Sequence, residues 1–177
     1  MKKTILPLIL LNIISTSQAQ MYLEMSLGVT SVALAEKSQY VSLSKSGQEP
    51  TMGTVGVGLG YKLHPNFAVV TKYQSLYEQN ASTASPKIRS HAVSVRAVGI
   101  MPINSFMSVN AKIGIGRNKI TVDKAWSTNG INYGVGLDFF DKKNAVGLDI
   151  DFYPTRSTGY FPALKQTNVN LVAKQYF

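Results

Sequence analysis

The sequence predicts one all-β domain, an eight-stranded antiparallel up-and-down β-barrel that spans a membrane. Three observations support this fold class: a secretory leader, eight segments of alternating polarity, and connections that alternate between long and short. The 177 residues, 45% of them hydrophobic, suit a single domain with a core and exclude a disordered chain. The absence of Cys excludes disulfides and thiolate metal sites, and two His are too few for a histidine-built metal centre.

Residues 1–19 have the layout of a secretory signal peptide. Lys2 and Lys3 precede an apolar run over residues 4–14, and Ser17 and Ala19 occupy the positions that signal peptidase reads. The run is shorter than the roughly 20 residues of a membrane helix, and an N-terminal anchor helix is the alternative. The predicted division is therefore a signal peptide over 1–19 and a barrel domain over 20–177.

Eight segments alternate between apolar residues and polar residues or glycine, which is the pattern of half-buried strands. In chain order, their apolar positions begin at Leu23, Val55, Phe67, Val93, Val109, Ile131, Val146 and Val169. Turn-forming Pro, Asn, Asp and Ser predict tight turns at 64–66, 102–105 and 141–144. Long loops are predicted at 35–53, 77–87, 118–128 and 154–166. Long loops at one edge and short turns at the other are typical of transmembrane barrels.

Alternation alone does not decide which face of the barrel meets lipid, and a secreted soluble barrel of lipocalin type is the alternative. Glycines on the polar parity favour the membrane barrel, because glycine makes room for large neighbours inside a narrow lumen. These are Gly28, Gly56, Gly58, Gly60, Gly114, Gly116, Gly134, Gly136 and Gly147. Aromatic residues also fall toward strand ends on the apolar parity, as interfacial girdles do.

The positive and negative charges at the polar positions of the eight segments nearly balance, as a dry interior requires. The predicted interior charge network comprises Glu24, Lys62, Lys72, Arg96, Lys112, Asp138, Asp149, Asp151 and Lys174. We interpret Asp149 and Asp151 as counter-ions for Arg96, Lys112 or Lys72 and not as an acid/base pair.

The chain contains no recognisable catalytic, cofactor-binding or metal-binding constellation. His91 and Ser94 are three residues apart on a strand, so they face opposite sides and cannot act together directly. We therefore expect no enzyme activity and no cofactor. Eight strands enclose a lumen that side chains just fill, which argues against a wide channel. A narrow or gated porin is the second hypothesis, and a lipid-modifying enzyme is the third.

Basic residues concentrate in or beside the predicted long loops, where nine of them face four acids. The nine are Lys37, Lys45, Lys87, Arg89, Arg117, Lys119, Lys124, Arg156 and Lys165. Such a surface favours lipopolysaccharide phosphates or anionic host surfaces, with ordinary solvated loops as the alternative. Nucleic acid is not an expected partner of an exported barrel.

The leader, the eight segments, the inward glycines and the aromatic C-terminus resemble the small OmpA-like or opacity-type outer-membrane barrels of Gram-negative bacteria. The resemblance implies a monomer in the outer membrane whose surface loops contact lipopolysaccharide, host or envelope proteins. It also implies that Phe177, with Val169, Leu171 and Ala173, is the signal read by the barrel-assembly machinery. Gln175 departs from that pattern, which usually has an aromatic or apolar residue there.

Overall fold

The computed structural model describes residues 20–34, 51–77, 89–121, 125–154 and 164–177. The predicted signal peptide lies outside these residues. Within them, no helix is long and apolar enough to cross a membrane.

Eight strands form a closed antiparallel barrel in which each strand pairs with its neighbours in sequence and β1 pairs with β8. The strands are β1 (Gln20–Leu34), β2 (Thr51–His64), β3 (Phe67–Tyr77), β4 (Arg89–Asn104), β5 (Met107–Thr121), β6 (Ala125–Asp141), β7 (Asn144–Pro154) and β8 (Leu164–Tyr176). The predicted fold class is confirmed.

Two-residue turns join β2 to β3, β4 to β5 and β6 to β7, at the end of the barrel that also contains Gln20 and Phe177. We call this end the turn end and the opposite end the loop end. Asn side chains and a left-handed residue shape the turns: the Asn104 side chain accepts a hydrogen bond from the backbone N–H of Phe106 at 3.0 Å, and Lys142 has φ 51°. All three predicted tight turns are present, but β4 continues to Asn104, so the second turn comprises Ser105 and Phe106 and not residues 102–105.

The predicted long loop over 118–128 is wrong. β5 and β6 remain paired up to Thr121 and Ala125. Asn118 and Thr128 of this stretch are buried inside the barrel, whereas Lys119 and Ser127 are exposed. Beyond the hydrocarbon region a strand needs no apolar outer face, so polarity there does not mark the end of a strand.

The apolar parity faces outward and the polar parity faces inward, as the sequence predicts. Ile113 and Ile115 of β5 are 61% and 70% exposed, whereas the charged side chains Arg96 and Asp149 are 1% and 0% exposed. This arrangement is the reverse of a soluble barrel, which buries its apolar residues, and it is the arrangement of a barrel in lipid.

An apolar cluster occupies the lumen at the turn end. We call it the turn-end plug, and its buried members are Tyr22, Ala68, Val70, Val98, Ala145 and Tyr176. The rings of Tyr22 and Tyr176 lie 5.1 Å apart, and Phe140 packs against Tyr176 at 6.1 Å. Gly60 leaves space for the Tyr22 ring, which a side chain at that position would overlap. The sequence did not predict this plug.

Candidate functional site

The middle of the lumen contains a buried ion-pair network between β1, β3, β4 and β7. Arg96 donates from Nη1 to Asp151 Oδ1 at 2.6 Å. Lys72 Nζ lies 3.0 Å from Glu24 Oε1 and 3.7 Å from Asp151 Oδ2. Asp151 therefore serves two cations, and all four side chains are at most 2% exposed.

A second group of ion pairs lies closer to the turn end. Lys174 donates to both carboxylate oxygens of Asp138, at 2.8 and 2.7 Å, and Asn110 donates to Asp138 Oδ2 at 3.0 Å. Lys112 pairs with Asp149. Each of these cations thus has its own carboxylate, which reduces the cost of burying it.

Glycines of β6 provide the space for these carboxylates. Gly134 and Gly136 are the cross-strand partners of Asp151 and Asp149. A Cβ atom at either glycine would overlap an Oδ1 atom of its partner. The glycines that the sequence places on the inward face therefore have a definite packing role here.

Hydrogen-bonded neutral side chains occupy the lumen toward the loop end. Tyr153 donates its hydroxyl to Gln74 Oε1 at 2.8 Å, and Gln74 Nε2 donates to Thr54 at 2.9 Å and to Asn170 at 3.2 Å. Sequence reasoning did not single out these residues. The signal was nevertheless available, because Tyr153 continues the inward parity of Asp149 and Asp151.

Eight of the nine residues predicted for the interior network are buried in the lumen, as four acids and four bases. Lys62 is the exception. It is only partly buried, and no ion pair joins it to another residue of the described strands and turns. Its position two residues before the end of β2 places it at the mouth of the barrel, so its placement in the network was wrong.

The predicted basic loop residues are only partly covered by the structure. Lys37, Lys45, Lys87, Lys124 and Arg156 lie outside the described residues. Arg89 is the first residue of β4, and Lys165 is an exposed residue at the start of β8. Arg117 and Lys119 are exposed on strand β5 and not in a loop.

Polar side chains extend around the outer wall near the loop end. Tyr73 and His91 share a hydrogen bond of 2.9 Å with stacked rings 5.9 Å apart, and Arg117 Nη2 donates to Ser127 Oγ at 2.9 Å. His91 faces outward while Ser94 is buried in the lumen, which agrees with the predicted opposite faces. The described residues contain no group of three His, Cys, Asp or Glu able to hold a metal ion.

A groove of about 520 Å³ crosses the outer wall over β4, β5 and β6. Val93, Val95, Ile115 and Ile131 form its apolar sides, and Arg117 lies at its loop-end edge.

An apolar outer wall around a charged, filled lumen defines a transmembrane β-barrel of the outer-membrane type. The chain matches the model of the family described as "Outer membrane protein beta-barrel domain" over residues 6–177. The chain therefore belongs to this family, and the predicted resemblance is confirmed.

Solved structures of small outer-membrane barrels share the fold. Neisserial surface protein A superposes with a TM-score of 0.71 at 8% identity, over 91% of this chain and 100% of that chain. Ail, the attachment invasion locus protein of Yersinia pestis, superposes in its complex with the heparin analogue sucrose octasulfate. The TM-score is 0.62 at 14% identity, over 91% of this chain and 100% of that chain. OprG of Pseudomonas aeruginosa superposes with a TM-score of 0.55 at 9% identity, over 88% of this chain and 95% of that chain. A search of curated proteins finds no match.

Proposed function

We propose that the protein is a non-enzymatic barrel of the Gram-negative outer membrane that presents a basic loop end to anionic partners outside the cell. In this proposal residues 1–19 direct export, and Phe177 is the signal for barrel assembly. The turn end faces the periplasm and the loop end faces outward, as in other barrels with short periplasmic turns. The filled lumen is the observation that supports this function most strongly.

The lumen favours a scaffold over a channel because two layers block it. The turn-end plug occupies one end with packed aromatic and aliphatic side chains. Above it, Lys72, Arg96, Lys112 and Lys174 each pair with a buried carboxylate. Opening a path would separate buried ion pairs, and leaving one such charge without its partner costs about 3–5 kcal/mol.

The charge of the long connections favours anionic partners. Six bases oppose three acids in or beside the predicted long loops other than 118–128. Ail, which shares the fold, was crystallised with a polysulfated heparin analogue. Sulfated or phosphorylated glycans of host or envelope surfaces therefore suit the loop end by charge complementarity.

The test is binding of cells that display the protein to a heparin-coated surface. We expect adhesion to fall severalfold in the triple variant Lys37→Gln, Lys45→Gln and Lys87→Gln. The matched control neutralises Lys142 and Lys143, which are exposed at the turn end, and should leave adhesion unchanged. Equal adhesion by the triple variant and the wild type would contradict the proposed role of the basic loops.

A narrow or gated porin is the second candidate, favoured by the hydrophilic lining toward the loop end. Hydroxyl and amide side chains line that part of the lumen, among them Thr30, Ser90, Asn118 and Asn168. Single-channel recordings in planar bilayers separate the two candidates. The scaffold predicts no conductance steps, whereas regular steps that change on mutation of Arg96 would favour the porin.

A further inference from the structure

We propose that the outer wall over β4, β5 and β6 is a binding site for the lipid A part of lipopolysaccharide. In this proposal Arg117 and Lys119 hold a phosphate group, and the adjacent groove holds acyl chain. The inference rests on the membrane orientation proposed above, but not on the partner proposed for the loops.

The groove has the chemistry of an acyl-chain site. Its sides are Val93 and Val95 of β4, Ile115 of β5 and Ile131 of β6, which are 48–70% exposed on the lipid-facing wall. Its volume of about 520 Å³ is confined to these three strands among the described residues. A shaped apolar depression can order a chain that a smooth wall would leave mobile.

The outer wall changes from apolar to cationic between two successive outward-facing residues of β5. Arg117 follows Ile115 on the outer face of β5 and lies opposite Val93 of β4 and Asn129 of β6. Lys119 comes next and lies opposite His91 and Ser127. A lipid whose chains lie in the groove would therefore bring its headgroup to this pair of cations.

The cations at this boundary have no carboxylate partner among the described residues. The hydrogen bond from Arg117 Nη2 to Ser127 uses only one of several guanidinium donors. Every Asp and Glu of the described ranges is either buried in the lumen or, for Asp141, located at the turn end. No described carboxylate thus competes for Arg117 or Lys119 on the outer wall.

Lipid A suits this arrangement better than a glycerophospholipid. The two cations are separated by roughly 6–7 Å along β5, so they can contact separate oxygens of a broad, phosphorylated sugar headgroup. Asn129 and Ser127 are exposed beside them and offer hydrogen-bonding groups for sugar hydroxyls.

The test is native mass spectrometry of the refolded full chain in detergent, titrated with lipid A, monophosphoryl lipid A or phosphatidylglycerol. We expect lipid A to bind at about tenfold lower concentration than phosphatidylglycerol, with monophosphoryl lipid A between them. The double variant Arg117→Gln, Lys119→Gln should lose this preference. The control Lys165→Gln, which removes an exposed cation from the loop end of β8, should keep it.

A second pair of variants tests the groove itself. Ile131→Trp fills the groove and should weaken lipid A binding, whereas Val57→Trp adds the same ring on the outer wall of β2, a strand that does not line the groove. Equal binding of lipid A and phosphatidylglycerol by the wild type, or undiminished preference in the double variant, would overturn the proposal. Because the assay measures lipid retention alone, a failure here is distinguishable from a failure of the adhesion experiment.

Discussion

The cations of the lumen and the cations of the outer wall have opposite environments. In the lumen, Arg96 and Lys174 are buried and paired with carboxylates. On the wall, Arg117 and Lys119 are exposed, and no carboxylate of the described residues accompanies them. The difference indicates that the lumen charges stabilise the barrel, whereas the wall charges carry the lipid site that we propose. The sequence predicts this separation, because it places Arg96 and Lys174 in the interior network and Arg117 and Lys119 among the basic residues of the outer loops.

The largest expected effect is the loss of a lumen carboxylate. Asp151→Asn should destabilise the barrel by about 3–5 kcal/mol, because Arg96 and Lys72 would both lose a buried anionic partner. Urea unfolding in lipid vesicles measures the change. The wall variant Lys119→Asn is the control and should stay within about 0.5 kcal/mol of the wild type. Similar stabilities for the two variants would remove the distinction between lumen and wall.

A smaller loss is expected from filling the space beside a lumen carboxylate. Gly136→Ala should destabilise by about 1–3 kcal/mol, because its Cβ atom would displace Asp149 from Lys112. Gly99→Ala is the matched control on the outer wall, where the nearest heavy atom to a new Cβ is 3.9 Å away. If unfolding shows equal costs at both glycines, the lumen is less tightly packed than described.

The smallest effect concerns a neutral hydrogen bond. Tyr153→Phe removes the donor to Gln74 in the lumen and should cost about 0.5–1.5 kcal/mol in the same unfolding assay. Tyr133→Phe removes a hydroxyl from the exposed outer face and should change stability little. A larger effect at Tyr133 than at Tyr153 would contradict the inward orientation of Tyr153 and the outward orientation of Tyr133.

The alternation of apolar and polar residues predicted most of the fold. A strand in lipid has only two faces, and the outer face must be apolar while the inner face is polar. The same rule placed Arg96, Lys112 and Asp151 in the lumen. It failed at Lys62, because parity does not report how far a residue lies from the mouth of the barrel. It also failed at 118–128, where the strands continue past the apolar band.

The sequence predicted Asp149 and Asp151 as counter-ions of Arg96, Lys112 or Lys72, and the structure pairs them in this way, but the individual pairs were not predicted. Which carboxylate meets which cation depends on strand register and on the stagger around the closed barrel, and neither is encoded in local polarity. The turn-end plug was missed because Tyr22 and Tyr176 are apolar residues on the parity that the charges assign to the polar face. A comparison of inward positions near the turns of all strands would have revealed it.

Single nitroxide labels on introduced cysteines test most directly whether the apolar wall faces lipid, and the chain has no Cys to interfere. Labels at Ile113 and Leu148 of the vesicle-reconstituted protein should be relaxed by lipid-dissolved oxygen and protected from a water-soluble nickel chelate. A label at Lys165 should show the reverse. Labels at Ile113 and Leu148 that respond to the chelate as strongly as the one at Lys165 would contradict the membrane-spanning barrel and the functions inferred from it.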